Sequence, residues 1–400
     1  MKKGWEIKKL GEVCEFQNGF AFKSNLFTDS GLPILRISNI QDFGIDTNNL
    51  VYFNDSSYKE NFERFKVYPN DILIAMSGGT TGKLGINNTD TIYYLNQRVG
   101  KFSPSNKLNR TFLYYFLQTK SEESLAIAGG AAQPNLSTEQ IKNFEIPFPP
   151  LPEQQRIVQL LDEAFEKIDT LKANAERNLK NAKELFQNSL QVVFENKGKA
   201  WEEIKLGELA TFRNGMNFTR GSKGEEIQIV GVKDFQNSFW VPFESLETVT
   251  IDGKLNEIDF LKEDDILAVR SNGNPNLIGR TLLAGHVNGR ISHSGFTIRI
   301  RLNSKIVSPI YLCNYLKTQK TRKELVESGI GIGIKSLNQG SLSSLTIPFP
   351  KSLTEQQTIV EHLDALSARC KALEINYQKT IAQCNEMKKA VLAKAFNGEL

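Results

Sequence analysis

Cysteine and histidine are scarce in this sequence, and long apolar runs are missing. Only three histidines are present, and the four cysteines include no C-x-x-C pair, so nothing indicates a disulfide framework or a zinc site. No segment approaches the ~20 apolar residues of a membrane span, and the charged start is not followed by a signal-peptide stretch. These absences argue against membrane and secreted proteins and predict a protein of the reducing cytoplasm.

Neither sign of charge is in large excess. The chain has 49 Lys and Arg residues against 45 Asp and Glu, a formal net charge of +4. That balance is compatible with an anionic partner but does not demonstrate one. With 400 residues, 40% of them hydrophobic, the chain exceeds what one hydrophobic core usually organises. We therefore expect two domains.

Motifs for catalysis and cofactor binding are also missing. The segment SGGTTGKLG, from Ser77 to Gly85, is one residue short of a phosphate-binding loop, and Leu84 replaces the hydroxyl residue of that motif. Neither G-x-G-x-x-G nor N-P-P-[FY] occurs. His286 and His293 have no acidic or cysteine partner at a ligand or triad spacing. We expect a non-catalytic chain with no metal site and no cofactor of its own.

What the sequence does contain is a long internal repeat. Three anchors recur in the same order: a Trp…Leu-Gly-Glu…Asn-Gly segment, an Asp-Ile-Leu segment, and a proline motif that leads into Glu-Gln-Gln. They occupy Trp5–Phe22 and Trp201–Phe218, Asp71–Leu73 and Asp265–Leu267, and Ile146–Asp162 and Ile347–Asp364. The separation between matching residues changes along the chain, so the copies differ in their insertions while the anchors keep their order.

A long helical pattern follows each proline motif. Neither Gly nor Pro interrupts Glu153–Asn196 or Glu355–Asn397, and each helix would reach roughly 65 Å at 1.5 Å per residue. Apolar residues recur every seven positions, as in a coiled-coil seam. They are Leu161, Ile168, Ala175 and Ala182, interleaved by Ala164, Leu171 and Leu185, and then Leu363, Cys370, Tyr377, Cys384 and Val391, interleaved by Leu366, Leu373 and Met387.

Connectivity predicts how these helices pair. The second globular region starts where the first helix ends and finishes where the second helix begins, and a compact domain cannot bridge roughly 65 Å. The helices must therefore run antiparallel, which places Leu400 close to the N-terminus.

Between the anchors, short strand-like segments such as DILIAMS and DDILAVRS alternate with helical ones such as NRTFLYYFLQTKSEESL. The predicted fold class is α+β, with two similar α/β domains separated by a long antiparallel two-helix coiled coil and related by an internal pseudo-twofold repeat. The predicted segments are residues 1–150 and 199–350 for the domains, and 151–198 and 351–400 for the helices.

The loops after the Asp-Ile-Leu anchors differ between the copies, although the surrounding frames match. Their Arg, Lys, Asn, Ser and Thr side chains suit base edges in the major groove. Glycine-rich segments before the proline motifs permit close approach to a DNA backbone. The candidate DNA-binding residues are Ser77, Thr80, Thr81, Lys83, Gln97, Arg98, Gln133 and Asn135, and then Arg270, Ser271, Asn272, Asn274, Arg280, His293, Lys335 and Asn338.

Both copies together resemble the specificity subunit of a type I restriction-modification system over essentially the whole chain. The resemblance is carried by the doubled tryptophan anchors, the doubled IPFP segments, the doubled Glu-Gln-Gln motifs and the two long helices. It implies two target recognition domains that each read one half of a bipartite, asymmetric DNA sequence, with the helices as a ruler between the halves.

The same resemblance implies the partners. They are double-stranded DNA, two methyltransferase subunits that bring S-adenosylmethionine, and restriction subunits that act as motors and use ATP and Mg. The chain itself would be non-catalytic and would position these subunits. Three alternatives stay open: a protein-binding scaffold, an enzyme with a cryptic site, and the specificity subunit of a methylation-only defence system.

Overall fold

The computed structural model describes residues 4–42, 44–128, 135–198, 200–219, 221–236, 238–327 and 336–400. The chain forms two compact units, of which unit 1 comprises Met1–Ala175 and Lys379–Leu400 and unit 2 comprises Glu176–Gln378. The prediction that Leu400 lies near the N-terminus is confirmed: its carbonyl accepts from Arg156 at 2.8 Å, near the start of the long helix that follows Glu145–Phe148, and that segment pairs with Glu6–Lys9. The predicted segment boundaries at residues 150, 198 and 350 stay a prediction.

Unit 1 begins with a mixed α+β domain. Its strands are β1 (Glu6–Lys9), β2 (Cys14–Asn18), β3 (Leu32–Leu35), β4 (Ile40–Gln41), β5 (Gly44–Ile45), β6 (Val51–Phe53), β7 (Lys66–Val67), β8 (Ile72–Ala75), β9 (Leu84–Ile86), β10 (Tyr93–Leu95), β11 (Val99–Pro104) and β12 (Glu145–Phe148). Its helices are α1 (Leu10–Val13), α2 (Arg110–Thr119), α3 (Ser121–Ala128) and α4 (Thr138–Lys142), followed by the long helix α5 (Leu151–Glu195).

The strands of unit 1 form two main sheets. One has the order β2-β11-β8-β9 and is antiparallel throughout, and the other has the order β6-β3-β10-β7 with a parallel β3–β10 pair. β8 is buried along its whole length, as expected of the fully apolar segment Ile-Leu-Ile-Ala in a central strand.

Unit 2 repeats this domain. Its strands are β13 (Trp201–Lys205), β14 (Ala210–Asn214), β15 (Glu226–Val230), β16 (Glu247–Thr250), β17 (Ile266–Val269), β18 (Thr281–Leu283), β19 (Ile291–His293), β20 (Thr297–Leu302) and β21 (Thr346–Pro350). Its helices are α6 (Leu206–Leu209), α7 (Pro309–Leu316), α8 (Gln319–Glu327) and α9 (Gln339–Ser344), followed by the long helix α10 (Leu353–Asn397). The sheet β14-β20-β17-β18 matches β2-β11-β8-β9 of unit 1 in order and direction.

The repeated tryptophan and proline motifs meet as neighbouring strands. β1 pairs antiparallel with β12 in unit 1, and β13 pairs antiparallel with β21 in unit 2. At the end of each pair the same backbone bond follows, since the Leu10 N–H donates to the Phe144 carbonyl and the Leu206 N–H to the Leu345 carbonyl, both at 2.8 Å. In each unit, the first strand of the domain thus pairs with its last strand, which directly precedes the long helix.

The Glu-Gln-Gln motif anchors the start of each long helix. In unit 1 the fully buried Gln154 side chain accepts from the Asn109 N–H at 2.8 Å, and donates to the carbonyls of Pro149 (2.8 Å) and Lys107 (3.1 Å). In unit 2 the equally buried Gln356 makes the same three bonds. Its partners are the Ser308 N–H and the carbonyls of Ile306 and Pro350.

Both uninterrupted runs, Glu153–Asn196 and Glu355–Asn397, are helical: α5 and α10 begin two residues before them and end within one residue of their ends. Within unit 1 they run antiparallel, because Asp169 forms an ion pair with Lys388 at 2.6 Å and Lys172 donates to Asn385 at 3.0 Å. Moving forward along α5 thus corresponds to moving backward along α10. The seven-residue seam positions of α5, Leu161, Ile168, Ala175 and Ala182, are buried as predicted.

Of the interleaved seam residues, only Ala164 and Leu366 are half-buried, and the others were wrongly predicted to face inward. Leu171 and Leu185 are 47% and 46% exposed, and Leu373 and Met387 of α10 are exposed as well. At the first interleaved position, Ala164, the following residue, Phe165, is the buried one. A seven-residue period defines an apolar stripe but does not determine which flank of the stripe turns inward.

Candidate nucleic-acid interface

The variable loop of unit 1, residues 76–82 (loop 1), is closed by a fixed set of backbone hydrogen bonds. The Ala75 N–H donates to the Lys83 carbonyl and the Gly82 N–H to the Ala75 carbonyl, both at 2.9 Å. The Met76 N–H donates to the carbonyl of Arg98, which lies in the turn between β10 and β11. Loop 1 and that turn therefore meet at the end of β8.

The variable loop of unit 2, residues 270–279 (loop 2), is closed by the same set. The Val269 N–H donates to the Arg280 carbonyl and the Gly279 N–H to the Val269 carbonyl, both at 2.9 Å, and the Arg270 N–H donates to the Phe296 carbonyl at 2.8 Å. Loop 2 is longer than loop 1 between the same closing bonds. One frame therefore presents two loops of different length and composition.

The segments after the glycine-rich stretches join this cluster. The Leu136 N–H donates to the Met76 carbonyl at 2.8 Å, and the Leu337 N–H donates to the Arg270 carbonyl at 2.9 Å. Three segments that are distant in sequence thus converge in each unit. The structure brings together the residues that the sequence singled out in the loop, in the turn and after the glycine-rich stretch.

The repeated Asn-Gly anchor needs glycine because another backbone lies against it. A Cβ on Gly19 would be 1.9 Å from the Leu95 carbonyl oxygen, and one on Gly215 would be 2.2 Å from the Ser294 carbonyl oxygen. No side chain fits at such distances. The glycine therefore lets the first strand segment of each domain lie against the turn that borders its variable loop.

Loop 1 keeps most of its hydroxyls turned inward. Thr81 is buried and its hydroxyl donates to the Gly78 carbonyl at 2.7 Å. The hydroxyls of Ser77 and Thr80 are buried without a hydrogen-bond partner among the residues that the structure describes. Ser77 also forms an isolated β-bridge with Asn135. Buried hydroxyls without a partner are costly, so loop 1 is a place where a ligand or a shift of the loop would supply the missing bonds.

Loop 2 is organised by its own asparagines. The Asn274 N–H donates to the amide oxygen of Asn272 at 2.8 Å, and the Asn276 N–H donates to the amide oxygen of Asn274 at 3.0 Å. Arg270 reaches the Gly295 carbonyl at 3.5 Å. Because the amide oxygens serve the backbone, the amide nitrogens of Asn272 and Asn274 stay available as donors.

A cation stands at the same place of the frame in both units. In unit 1 the Lys83 ammonium donates to the Gln41 side-chain oxygen at 3.4 Å. In unit 2 the Arg280 guanidinium donates to the Gln236 carbonyl at 2.8 Å and to the Asn276 carbonyl at 3.3 Å. Arg280 therefore ties loop 2 to the segment after β15, and its DNA contact stays a prediction.

Two further cations support the same loop. Arg322 donates to the Asn276 carbonyl at 2.9 Å, and Lys317 donates to the Thr281 carbonyl at 2.6 Å. Burial lowers the pKa of Lys317 and of Arg322, and the neighbouring Arg280 lowers both further. Both side chains donate to carbonyl groups, so they hold loop 2 and the start of β18 in place from the buried side.

Comparison with known proteins identifies this architecture. The sequence pattern of the type I restriction modification DNA specificity domain matches residues 2–181 and again residues 198–383. The chain belongs to the type I restriction-modification specificity family. Because the domain matches twice, the chain carries two DNA specificity domains, as predicted.

Relatives match over the whole chain. The type I restriction enzyme StySPI specificity subunit of Salmonella potsdam is 27% identical over 424 residues, which cover 100% of this chain and 90% of the relative. The EcoBI specificity subunit of Escherichia coli is 26% identical, covering 99% of this chain and 86% of the relative. This chain is thus similar to specificity subunits along its full length.

Solved structures share the fold. The HsdS subunit from Thermoanaerobacter tengcongensis has a TM-score of 0.59 at 20% identity, covering 100% of this chain and 98% of that one. A chain from a structure on complex assembly and conformational transition of the type I R-M system has a TM-score of 0.77 at 20% identity, covering 100% and 99%. The predicted α+β fold class, with two similar domains and two long helices, is confirmed.

His293 was wrongly placed on the exposed surface of the second specificity domain. It is 1% exposed, and its Nδ1 lies 2.9 Å from the Thr297 hydroxyl. Burial lowers its pKa to about 3, so it is neutral at physiological pH. The frame bonds also show that His293 corresponds to Leu95, since each carbonyl accepts the N–H that follows the Asn-Gly anchor.

Phe296 is the residue that sequence reasoning missed. It takes the frame position that Arg98 occupies in unit 1, and it is 59% exposed. Gln97 and Arg98 are exposed too, so their predicted contacts remain sterically open. Arg98 lies 79 residues after Gly19 and Phe296 lies 81 residues after Gly215, so spacing from the Asn-Gly anchor does not align the two.

Asn338 has a structural task. Its side-chain oxygen accepts from the Ser341 N–H at 2.8 Å and caps the N-terminus of α9. Its spacing to Ser341 ahead of a short helix was a sequence signal for that role. Ser271 contacts Ser336 at 3.2 Å, whereas the candidates Gln133 and Lys335 lie outside the described residues.

In the described part of the chain, neither the near-match to a phosphate-binding loop nor any acidic, cysteine or histidine group has the surroundings that nucleotide or metal binding needs. Ser77–Gly85 leads into strand β9, whereas a phosphate-binding loop opens a helix. Among the described residues no group of His, Cys, Asp and Glu has the arrangement to hold a metal ion. No helix of the described residues is long and apolar enough to cross a membrane.

Proposed function

We propose that this chain is the DNA recognition subunit of a type I restriction-modification complex, with each specificity domain reading one half of a bipartite, asymmetric target. The observation that carries the proposal is the pair of equivalent hydrogen-bonded frames that close loops of different content. To read two unlike half-sites, both domains must sit on the DNA in the same way but present different side chains to the bases. Phosphate contacts fix the position of a domain on the duplex, and base contacts specify the sequence. Equivalent frames with unlike loops meet that requirement.

The proposal includes the partners and their cofactors. The chain is non-catalytic, acts in the cytoplasm, and positions two methyltransferase subunits and the restriction subunits on double-stranded DNA. S-adenosylmethionine belongs to the methyltransferase subunits, and ATP and Mg belong to the restriction subunits. What supports the DNA-binding part of the proposal is that the variable loops carry hydrogen-bonding and cationic groups, which suit contacts with phosphates and base edges.

Genome-wide adenine methylation tests the proposal. The chain is expressed with its neighbouring methyltransferase subunit in an unmethylated host, with the methyltransferase subunit alone as the control. We expect a split, asymmetric methylated motif that disappears when the chain is omitted. A stable complex that methylates no such motif would favour the protein-binding scaffold. A methylated motif without DNA cleavage by the complete operon would favour a methylation-only system.

Substitution of Arg270 and of Arg98 shows which half-site each specificity domain recognises. Arg270→Ala is expected to relax the sequence only in the half-site read by unit 2, and Arg98→Ala only in the half-site read by unit 1. A lost bidentate base contact costs about 1–3 kcal/mol of discrimination. The measurement is the methylated motif of each variant, with the other variant as its matched control. Uniform weakening of both half-sites would identify a phosphate contact instead.

A further inference from the structure

An open cavity of about 430 Å³ lies beside loop 2 in unit 2. Two phenylalanines line it, Phe218 and Phe296, which are 36% and 59% exposed. Asn272 and Gly273 of loop 2 also line it, as does the Lys233–Glu247 ion pair. Apolar walls with a few placed polar groups are typical of ligand sites. The cavity therefore offers an exposed aromatic surface next to a polar loop.

Asn272 gives this surface a defined hydrogen-bonding character. Its amide oxygen accepts from the Asn274 N–H at 2.8 Å, which fixes the orientation of the amide group. Its amide nitrogen has no partner among the described residues. Asn272 therefore presents an unpartnered donor on the cavity that it shares with Phe296.

The backbone holds the donor and the aromatic ring together. The Phe296 carbonyl accepts from the N–H groups of Arg270 at 2.8 Å and Ser271 at 3.4 Å, and Ser271 directly precedes Asn272. The two reading side chains therefore come from segments that are hydrogen-bonded to each other. Their spacing is set by the frame and not by a flexible linker.

Only one base matches a donor next to an apolar contact. In the major groove thymine presents its O4 acceptor beside its C5 methyl group, whereas cytosine presents a donor and purines have no methyl group. We propose that the specificity domain of unit 2 reads a thymine, with Phe296 contacting the methyl group and the Asn272 amide nitrogen donating to O4. The inference rests on the proposed function and names a base for one of its two readers.

Unit 1 is not expected to make this contact. Arg98 stands there in the frame position of Phe296, and a guanidinium group suits guanine O6 and N7 rather than a methyl group. The two half-sites should therefore differ in their response to removal of thymine methyl groups.

Uracil substitution tests the methyl contact. Duplexes carry uracil in place of each thymine in turn, and their binding to the complex of this chain with its methyltransferase subunits is measured. The half-site of unit 2 is the one that Arg270→Ala alters. One uracil there should weaken binding roughly three- to five-fold, as expected for one buried methyl group. The same uracil should have no effect on the complex of Phe296→Ala, and uracil in the other half-site should affect both complexes equally.

Asn272→Asp tests the donor. The substitution keeps an oxygen for the Asn274 N–H but replaces the donor by an acceptor, which suits the N4 donor of cytosine. Replacing the critical thymine by 5-methylcytosine keeps the methyl group and should weaken wild-type binding about ten-fold or more. In the Asn272→Asp complex that loss should disappear or reverse. Thermal melting of each variant checks that the exposed substitutions leave the fold intact.

Several results would overturn the inference. They are a half-site of unit 2 in which no uracil weakens binding, a uracil effect that persists in Phe296→Ala, and a loss in Phe296→Ala that is the same whichever base occupies the critical position. In these cases specific binding and the split motif would still support the proposed function. Absence of any sequence-specific binding would overturn both.

Discussion

Removing seven residues from each long helix, 172–178 from α5 and 379–385 from α10, is expected to abolish methylation at targets with the original spacing. If the helices set the distance between the half-sites, the paired deletion shortens it by about 10 Å at 1.5 Å per residue. At 3.4 Å per base pair this is about three base pairs. Targets with a spacer shorter by that amount are the expected new substrates, and methylation of a library of spacer lengths measures the shift.

The two deletions are matched by the register of the helices. Asp169 pairs with Lys388 and Lys172 with Asn385, so within unit 1 residues 172–175 face residues 382–385. Counting on by the same antiparallel register matches the deletion of 172–178 with that of 379–385. Removal of one heptad also keeps the seven-residue seam in phase. Deleting 172–178 alone is the control, because it shifts the register and should lower stability without defining a new spacing. An unchanged spacer preference after the paired deletion would contradict the ruler function of the helices.

Gln154→Leu is expected to destabilise unit 1 by about 3 kcal/mol. The substitution leaves the Asn109 N–H and the carbonyls of Pro149 and Lys107 without their partner, and each unsatisfied buried group costs roughly 1–3 kcal/mol. Leucine has a similar volume, so little of the loss comes from packing. Amide hydrogen exchange measures the opening free energy of each unit separately.

The neighbouring glutamine supplies the control. Gln155 has the same chemistry and the same motif but is exposed, so Gln155→Leu should change stability by no more than about 0.5 kcal/mol. Gln356→Leu should reproduce the large effect in unit 2 while leaving unit 1 unchanged. Equal effects of Gln154→Leu and Gln155→Leu would mean that the hydrogen bonds of the motif are not what fixes the helix start.

The long helices and the Glu-Gln-Gln motif recur in both units, whereas loop 1 and loop 2 differ. The frame bonds at the ends of loop 1 and loop 2 are made by backbone groups, so they do not depend on the side chains between them. A loop can therefore change its length and composition without loss of the surrounding sheet. This arrangement suits a protein whose task is to present different readers on one scaffold.

The sequence alone determined the repeat, the helices and their direction. The doubled anchors revealed two equivalent domains, uninterrupted heptads gave α5 and α10, and connectivity required them to be antiparallel. Each of these inferences uses a local period or the order of segments along the chain. Such information is complete in the sequence, because helix geometry and chain continuity are the same in every context.

Only the tertiary structure decided which residues occupy equivalent places and which face inward. Insertions of different length separate the anchors, so the sequence placed His293 beside Gln97 and Arg98, whereas the frame bonds assign that position to Phe296. Leu171 fits the apolar period yet lies exposed, and Gln154 is polar yet fully buried. Burial and hydrogen bonding depend on segments that are distant in sequence, and their meeting is settled only when the whole chain packs.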